Sequence, residues 1–94
     1  MRMNAWRDLL QSKGCIQGNQ IVAPKDCRIN LYFSGNGPLT SIGPDVQSDE
    51  KTVLEFTDQI ITDKRIVTRS GTSYYDTFYL WEDLCSVQIV RHSR

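Results

Sequence analysis

The stretch Cys27-Arg28-Ile29-Asn30-Leu31-Tyr32-Phe33 decides the fold class. Cys27, Ile29, Leu31 and Phe33 alternate with Arg28, Asn30 and Tyr32, and a period of two with one apolar face is the pattern of a half-buried β-strand. Downstream, Ser34-Gly35-Asn36-Gly37-Pro38 reads as a turn or loop, and the polar, acidic run from Gly43-Pro44 to Lys51 reads as solvated. Between them only Leu39 and Ile42 are expected to be buried. Beyond Lys51 the chain becomes β-branched and aromatic in five runs: Thr52 to Phe56, Gln59 to Thr62, Arg65 to Ser70, Thr77 to Trp81 and Cys85 to Arg91. Thr57-Asp58, Asp63-Lys64, Ser70-Gly71-Thr72 and Glu82-Asp83 separate them as turns, and gaps this short favour antiparallel neighbours. Upstream, Ile21-Val22 before Pro24 allows a shorter strand. The first element reads as a helix with Asn4 as N-cap, Trp6, Leu9 and Leu10 on one face, Lys13 in the last turn and Gly14 as stop. The expected fold is mostly β (α+β): a single strongly bent antiparallel sheet or partly open barrel of about five to seven strands, with one short N-terminal helix.

Length and composition bound the rest. A chain of 94 residues makes one domain, spanning residues 1–94, because a core of this size cannot be divided further. Eleven Lys and Arg balance eleven Asp and Glu, so no global field steers the molecule toward nucleic acid or an anionic membrane, and any charged surface must be local. Cys15, Cys27 and Cys85 are odd in number and unremarkably spaced, which fits free thiols in a reducing compartment. The charged N-terminus lacks the apolar run of a signal peptide, and no stretch approaches the ~20 apolar residues of a membrane span. A cytoplasmic protein without a transmembrane segment is the expectation.

From Phe56-Thr57-Asp58-Gln59-Ile60-Ile61-Thr62-Asp63-Lys64-Arg65-Ile66-Val67-Thr68-Arg69-Ser70-Gly71 on through Phe78-Tyr79-Leu80-Trp81-Glu82-Asp83-Leu84-Cys85-Ser86-Val87, the chain resembles bacterial pleckstrin-homology-like and GRAM-type domains. In those families a strand ending in Thr-Asp-x-Arg turns into a second strand, and a third strand and a short acidic turn lead to a final apolar strand. The resemblance covers roughly residues 53–90 and implies a strongly bent antiparallel sheet with binding as its activity. Such domains close one end of the sheet with a C-terminal helix, whereas this sequence stops at Arg91-His92-Ser93-Arg94, leaving the N-terminal helix to plug the sheet.

No catalytic set emerges. His92 is the sole histidine and lies near the C-terminus, where chains fray. Cys27 and Cys85 fall on the apolar faces of expected strands, and Cys15 beyond Gly14 is the most exposed thiol by position. No close-spaced cysteine pair supports zinc, Gly35-Asn36-Gly37 lacks the pattern of a phosphate loop, and Asp49-Glu50 and Glu82-Asp83 read as solvated turns. No cofactor or metal is expected. Lys64, Arg65 and Arg69 fall on one expected hairpin, and Arg91, His92 and Arg94 close the chain. Tyr32, Tyr74, Tyr75, Tyr79 and Trp81 include side chains opposed to the core-facing set, and exposed aromatics with Arg are the types enriched at interfaces. Lys64, Arg65, Arg69, Tyr75, Tyr79, Trp81 and Arg91 are therefore the candidate binding residues. The expected function is a small non-enzymatic binding module that meets a protein partner, or a second copy of itself, through an aromatic and basic sheet face or edge. Capture of an anionic phospholipid headgroup or nucleic acid by the basic hairpin is the alternative, and an inhibitor or immunity-type protein of a mobile element is a third reading.

Overall fold

Strand after strand follows one short helix in the computed structural model, which describes residues 2–35 and 39–92. In chain order the elements are α1 (Arg2–Ser12), β1 (Ile16–Gln17), β2 (Gln20–Ile21), β3 (Cys27–Phe33), β4 (Thr40–Ile42), β5 (Asp45–Val46), β6 (Glu50–Phe56), β7 (Ile60–Val67), β8 (Ser73–Leu80), a 3₁₀ turn (Trp81–Asp83) and β9 (Leu84–Arg91). The mostly β class with one short N-terminal helix is as the sequence implies. The strands divide between two antiparallel sheets, and among the described residues they close no barrel. One sheet runs β1-β2-β6-β7-β8, with β5 also paired to β6, and the other runs β4-β3-β9.

Helix α1 begins at Arg2, so Asn4 lies in its first turn rather than at the N-cap. Its end is where Gly14 places it. With φ at 77°, Gly14 takes the left-handed conformation, its N–H reaches the Gln11 carbonyl at 3.1 Å, and the Cys15 N–H reaches Leu10 at 2.8 Å. These two reversed bonds form a Schellman cap, which characteristically adds an apolar contact across the turn. Leu10 and Cys15 are both fully buried. Cys15, expected to be exposed, is thus core, while Leu9 turns outward at 40% exposure.

Asp63-Lys64 is not a turn. Strand β7 runs unbroken through it, pairing Asp63 with Leu54 of β6 on one side and Thr77 of β8 on the other. The true reversals are at residues 57–59 and 68–72, so the two runs flanking Asp63-Lys64 are one central strand. The run from Gly43 to Lys51 is also more ordered than its polarity suggests, since it contains β5 and the start of β6. Leu39, expected inside, is 59% exposed, whereas Ile42 is buried. Asn36, Gly37, Pro38 and Arg94 lie outside the described residues.

The sheets share one core. Ile29, Leu31 and Phe33 of β3 meet Ile21, Leu54 and Ile61 of the larger sheet, with Leu10 and Trp81. Phe33 stacks on Tyr79 across the sheets at 4.7 Å between ring centroids. On β9 the register shifts between the Tyr32–Ser86 and Phe33–Leu84 pairs, leaving Cys85 as the extra residue of a bulge. Simple alternation would send Cys85 inward with Val87 and Ile89. The bulge instead buries Leu84 and exposes Cys85.

Candidate functional site

The period of two along β7 sends Ile61, Asp63, Arg65 and Val67 to the face toward the second sheet, and Ile60, Thr62, Lys64 and Ile66 to the opposite face. Register with β8 sets Tyr79 beside Ile61, Thr77 beside Asp63 and Tyr75 beside Arg65. Thr40, Ser41 and Ile42 of β4 approach from the second sheet, and the two surfaces enclose a cleft of about 460 Å³. Near its floor Asp63 is 4% exposed, and its Oδ1 atom has no hydrogen-bond partner among the described residues. Arg65 bridges two carboxylates loosely, its Nη2 lying 3.6 Å from Asp63 Oδ2 and its Nε 3.7 Å from Glu50 Oε2. Arg69 is held more tightly, donating to Asp49 at 2.9 Å and to Glu50 at 3.1 Å. Burial raises the Asp63 carboxyl above its ordinary value, Arg65 opposes the rise and Glu50 adds to it. Burial raises the Tyr79 hydroxyl as well, and neighbouring Asp63 raises it further, against the opposing charge of Arg65.

Four of the seven residues picked from the sequence, Arg65, Arg69, Tyr75 and Tyr79, line this cleft. The other three do not. Lys64 projects from the opposite face and pairs with Glu55 at 3.2 Å. Arg91 lies in the second sheet beside Cys27. Trp81, expected among the exposed aromatics, is 1% exposed. Its indole N–H donates to the Thr57 carbonyl at 2.9 Å and its ring meets Phe56 edge-on, because the chain leaves β8 at Leu80 and folds it under the turn between β6 and β7. The basic residues of β7 and the following turn all face carboxylates, so the expected basic hairpin is electrically neutralised. By sequence Asp63 reads as a turn residue and Glu50 as part of a solvated turn, and Thr77 is not among the candidates. The available signal was parity: Asp63 keeps step with Ile61 and Arg65 once the strand is taken as continuous.

A second feature lies on the outer surface of the same two strands. Among the described residues strand β8 has β7 as its sole neighbour in the sheet, so one edge of its eight residues meets no other strand there. Tyr74 (75% exposed), Phe78 (64%) and Leu80 lie on its outer face next to Ile66. Asp76 is its one charged residue and joins no ion pair among the described residues. Natural edge strands are commonly guarded by Lys, Pro or a bulge. Strand β9, the other long strand with a single neighbour, has such guards: a bulge at Cys85, polar Ser86 and Gln88, and Arg91 at its end. β8 has no Lys, Pro or bulge.

A separate cavity of about 440 Å³ lies where β2 and β5 share one edge of β6, and it contains none of the candidate residues. Among the described residues no group of His, Cys, Asp and Glu side chains could hold a metal ion, and no helix is long and apolar enough to cross a membrane. No family model, curated protein sequence or solved structure matches the chain.

Proposed function

We propose that this protein is a non-enzymatic protein-binding module that takes an extended segment of a partner chain onto the free edge of β8. The observation that carries the reading is an eight-residue edge without Lys, Pro or a bulge, whose exposed side chains are mainly aromatic and apolar. Unpaired strand N–H and C=O groups are matched by another extended chain, and alternate side chains of that chain then meet the sheet face. Tyr74, Phe78 and Leu80 favour apolar partner residues on the outer face, and Asp76, opposite Lys64 and in no ion pair among the described residues, favours one Lys or Arg. The neutralised arginines of β7 and the turn after it lend no support to an anionic lipid or nucleic-acid backbone as the partner.

Selection of random peptides on the immobilised chain is expected to return extended sequences with alternating apolar residues and a basic residue. Their binding should slow amide exchange along β8 and fall at least tenfold in Phe78→Lys, while the fold is retained. Peptides that protect another strand, or a pool that binds Phe78→Lys equally well, would exclude the β8 edge. A chain that instead pairs through β8 with a second copy of itself would assign the edge to self-association and overturn the partner reading.

A further inference from the structure

We propose that the cleft between the sheets is a separate ligand site, which receives a planar heterocycle through a lactam edge, a ring N–H beside a ring carbonyl, as in a guanine-type base. The first observation is an acceptor without a donor: the Asp63 side chain is 5% exposed and its Oδ1 is unpartnered among the described residues. Buried polar atoms are nearly always satisfied, so this one calls for an occupant. The second is a donor without an acceptor. The contacts from Arg65 to Asp63 and Glu50, at 3.6 and 3.7 Å, are ion pairs beyond hydrogen-bond length, and its guanidinium makes no hydrogen bond among the described residues. The two groups are two positions apart on one strand face, so a single ligand edge can meet both.

Charge and shape narrow the class. Glu50 and Asp63 balance Arg65 and Arg69 around the cleft, which favours a neutral ligand carrying its own donor and acceptor over a net cation or anion. A trans peptide bond points its N–H and C=O in opposite directions, whereas a ring lactam holds them on one edge. Guanine adds an exocyclic amine beside the ring N–H, giving a carboxylate two donors to accept and leaving the carbonyl for an arginine. Tyr75, 53% exposed beside Arg65, offers a flat face for stacking, and about 460 Å³ is within the usual range of small-molecule sites.

Titration calorimetry with guanosine and adenosine tests this, since adenosine lacks the ring N–H and carbonyl. Guanosine should bind at least tenfold more tightly than adenosine, about 10- to 100-fold more weakly to Asp63→Asn, and about 5- to 100-fold more weakly to Tyr75→Ala. Both variants should give native circular dichroism, and Phe78→Lys on the opposite face should leave guanosine binding unchanged. No binding of guanosine, equal binding of adenosine, or undiminished binding by Asp63→Asn overturns the proposal. A short single strand with one guanine distinguishes the sources: tighter binding than guanosine assigns the base to a nucleic acid, and equal or weaker binding assigns it to a free small molecule.

Discussion

Asp63 and Trp81 show opposite ways of placing a polar group inside a small core. Trp81 is satisfied: its indole N–H donates to the Thr57 carbonyl, and its ring is enclosed by Phe56 and the turn before β7. Trp81→Phe is expected to cost about 1–2 kcal/mol and Trp81→Ala about 3–5 kcal/mol in urea denaturation, the difference reflecting the cavity left by the ring. Asp63 is buried with one oxygen unmatched, and burial lifts its carboxyl above the ordinary value of 3.8. The folded chain therefore holds this proton to higher pH than the unfolded chain does. The stability gained from the protonated form is present below the ordinary carboxylate range and is lost as pH rises through the raised folded-state value. Asp63→Asn removes that dependence, so the Tm of the variant minus that of the parent should increase from pH 3.5 to pH 7. A difference that is flat or falls with pH would show that Asp63 is stabilised in its charged form.

At the scale of elements, the close approach of the chain after β4 to β3 depends on Gly43. A Cβ at this position would collide with the Ile29 carbonyl oxygen, well inside any real contact. Gly43→Ala must therefore push the segment off β3, just beyond the Leu31–Ile42 pair. The expected cost is about 1–3 kcal/mol, with amide chemical-shift changes centred on β3 and β4. Because Ser41 and Ile42 line the cleft wall opposite Asp63, the same variant should also weaken any ligand bound there. Strand β8 contrasts with this. Phe78 is 64% exposed on an edge, so Phe78→Lys should change stability by less than about 0.5 kcal/mol while removing the apolar centre of the proposed docking edge.

Across the whole molecule, protection should follow the sheet order. Strands β3, β6 and β7 have partners on both sides and supply Ile29, Leu31, Leu54 and Ile61 to the core, so their amides should exchange most slowly. Along β8, amides directed at β7 should be protected and those directed outward should exchange rapidly, in an alternating pattern measurable by NMR. Uniform protection of β8 in the isolated chain would mean that its edge is already covered. The Arg7–Asp58 pair, which ties α1 to the turn before β7 at 3.2 Å, is exposed, and Arg7→Ala should cost less than about 1 kcal/mol.

Much of the β architecture was legible from local chemistry. Alternation from Cys27 to Phe33 marks β3, Gly14 marks the end of α1, and the β-branched and aromatic runs after Thr52 lie on the strands that build most of both sheets. Local pattern reports which face of a strand is apolar, because the side-chain period is a backbone property. It also named Arg65, Arg69, Tyr75 and Tyr79 without showing that they converge. Tertiary structure decided the rest, since each case turned on pairing between distant residues. Asp63-Lys64 has turn-like chemistry, yet cross-strand bonds from Leu54 and Thr77 carry the strand through it. A bulge against Tyr32 reversed the fate of Cys85, and a carbonyl at Thr57 drew Trp81 inward. The division into two sheets, the cleft between them and the free edge of β8 arise from which strands pair, and strand pairing is a long-range outcome that side-chain alternation does not encode.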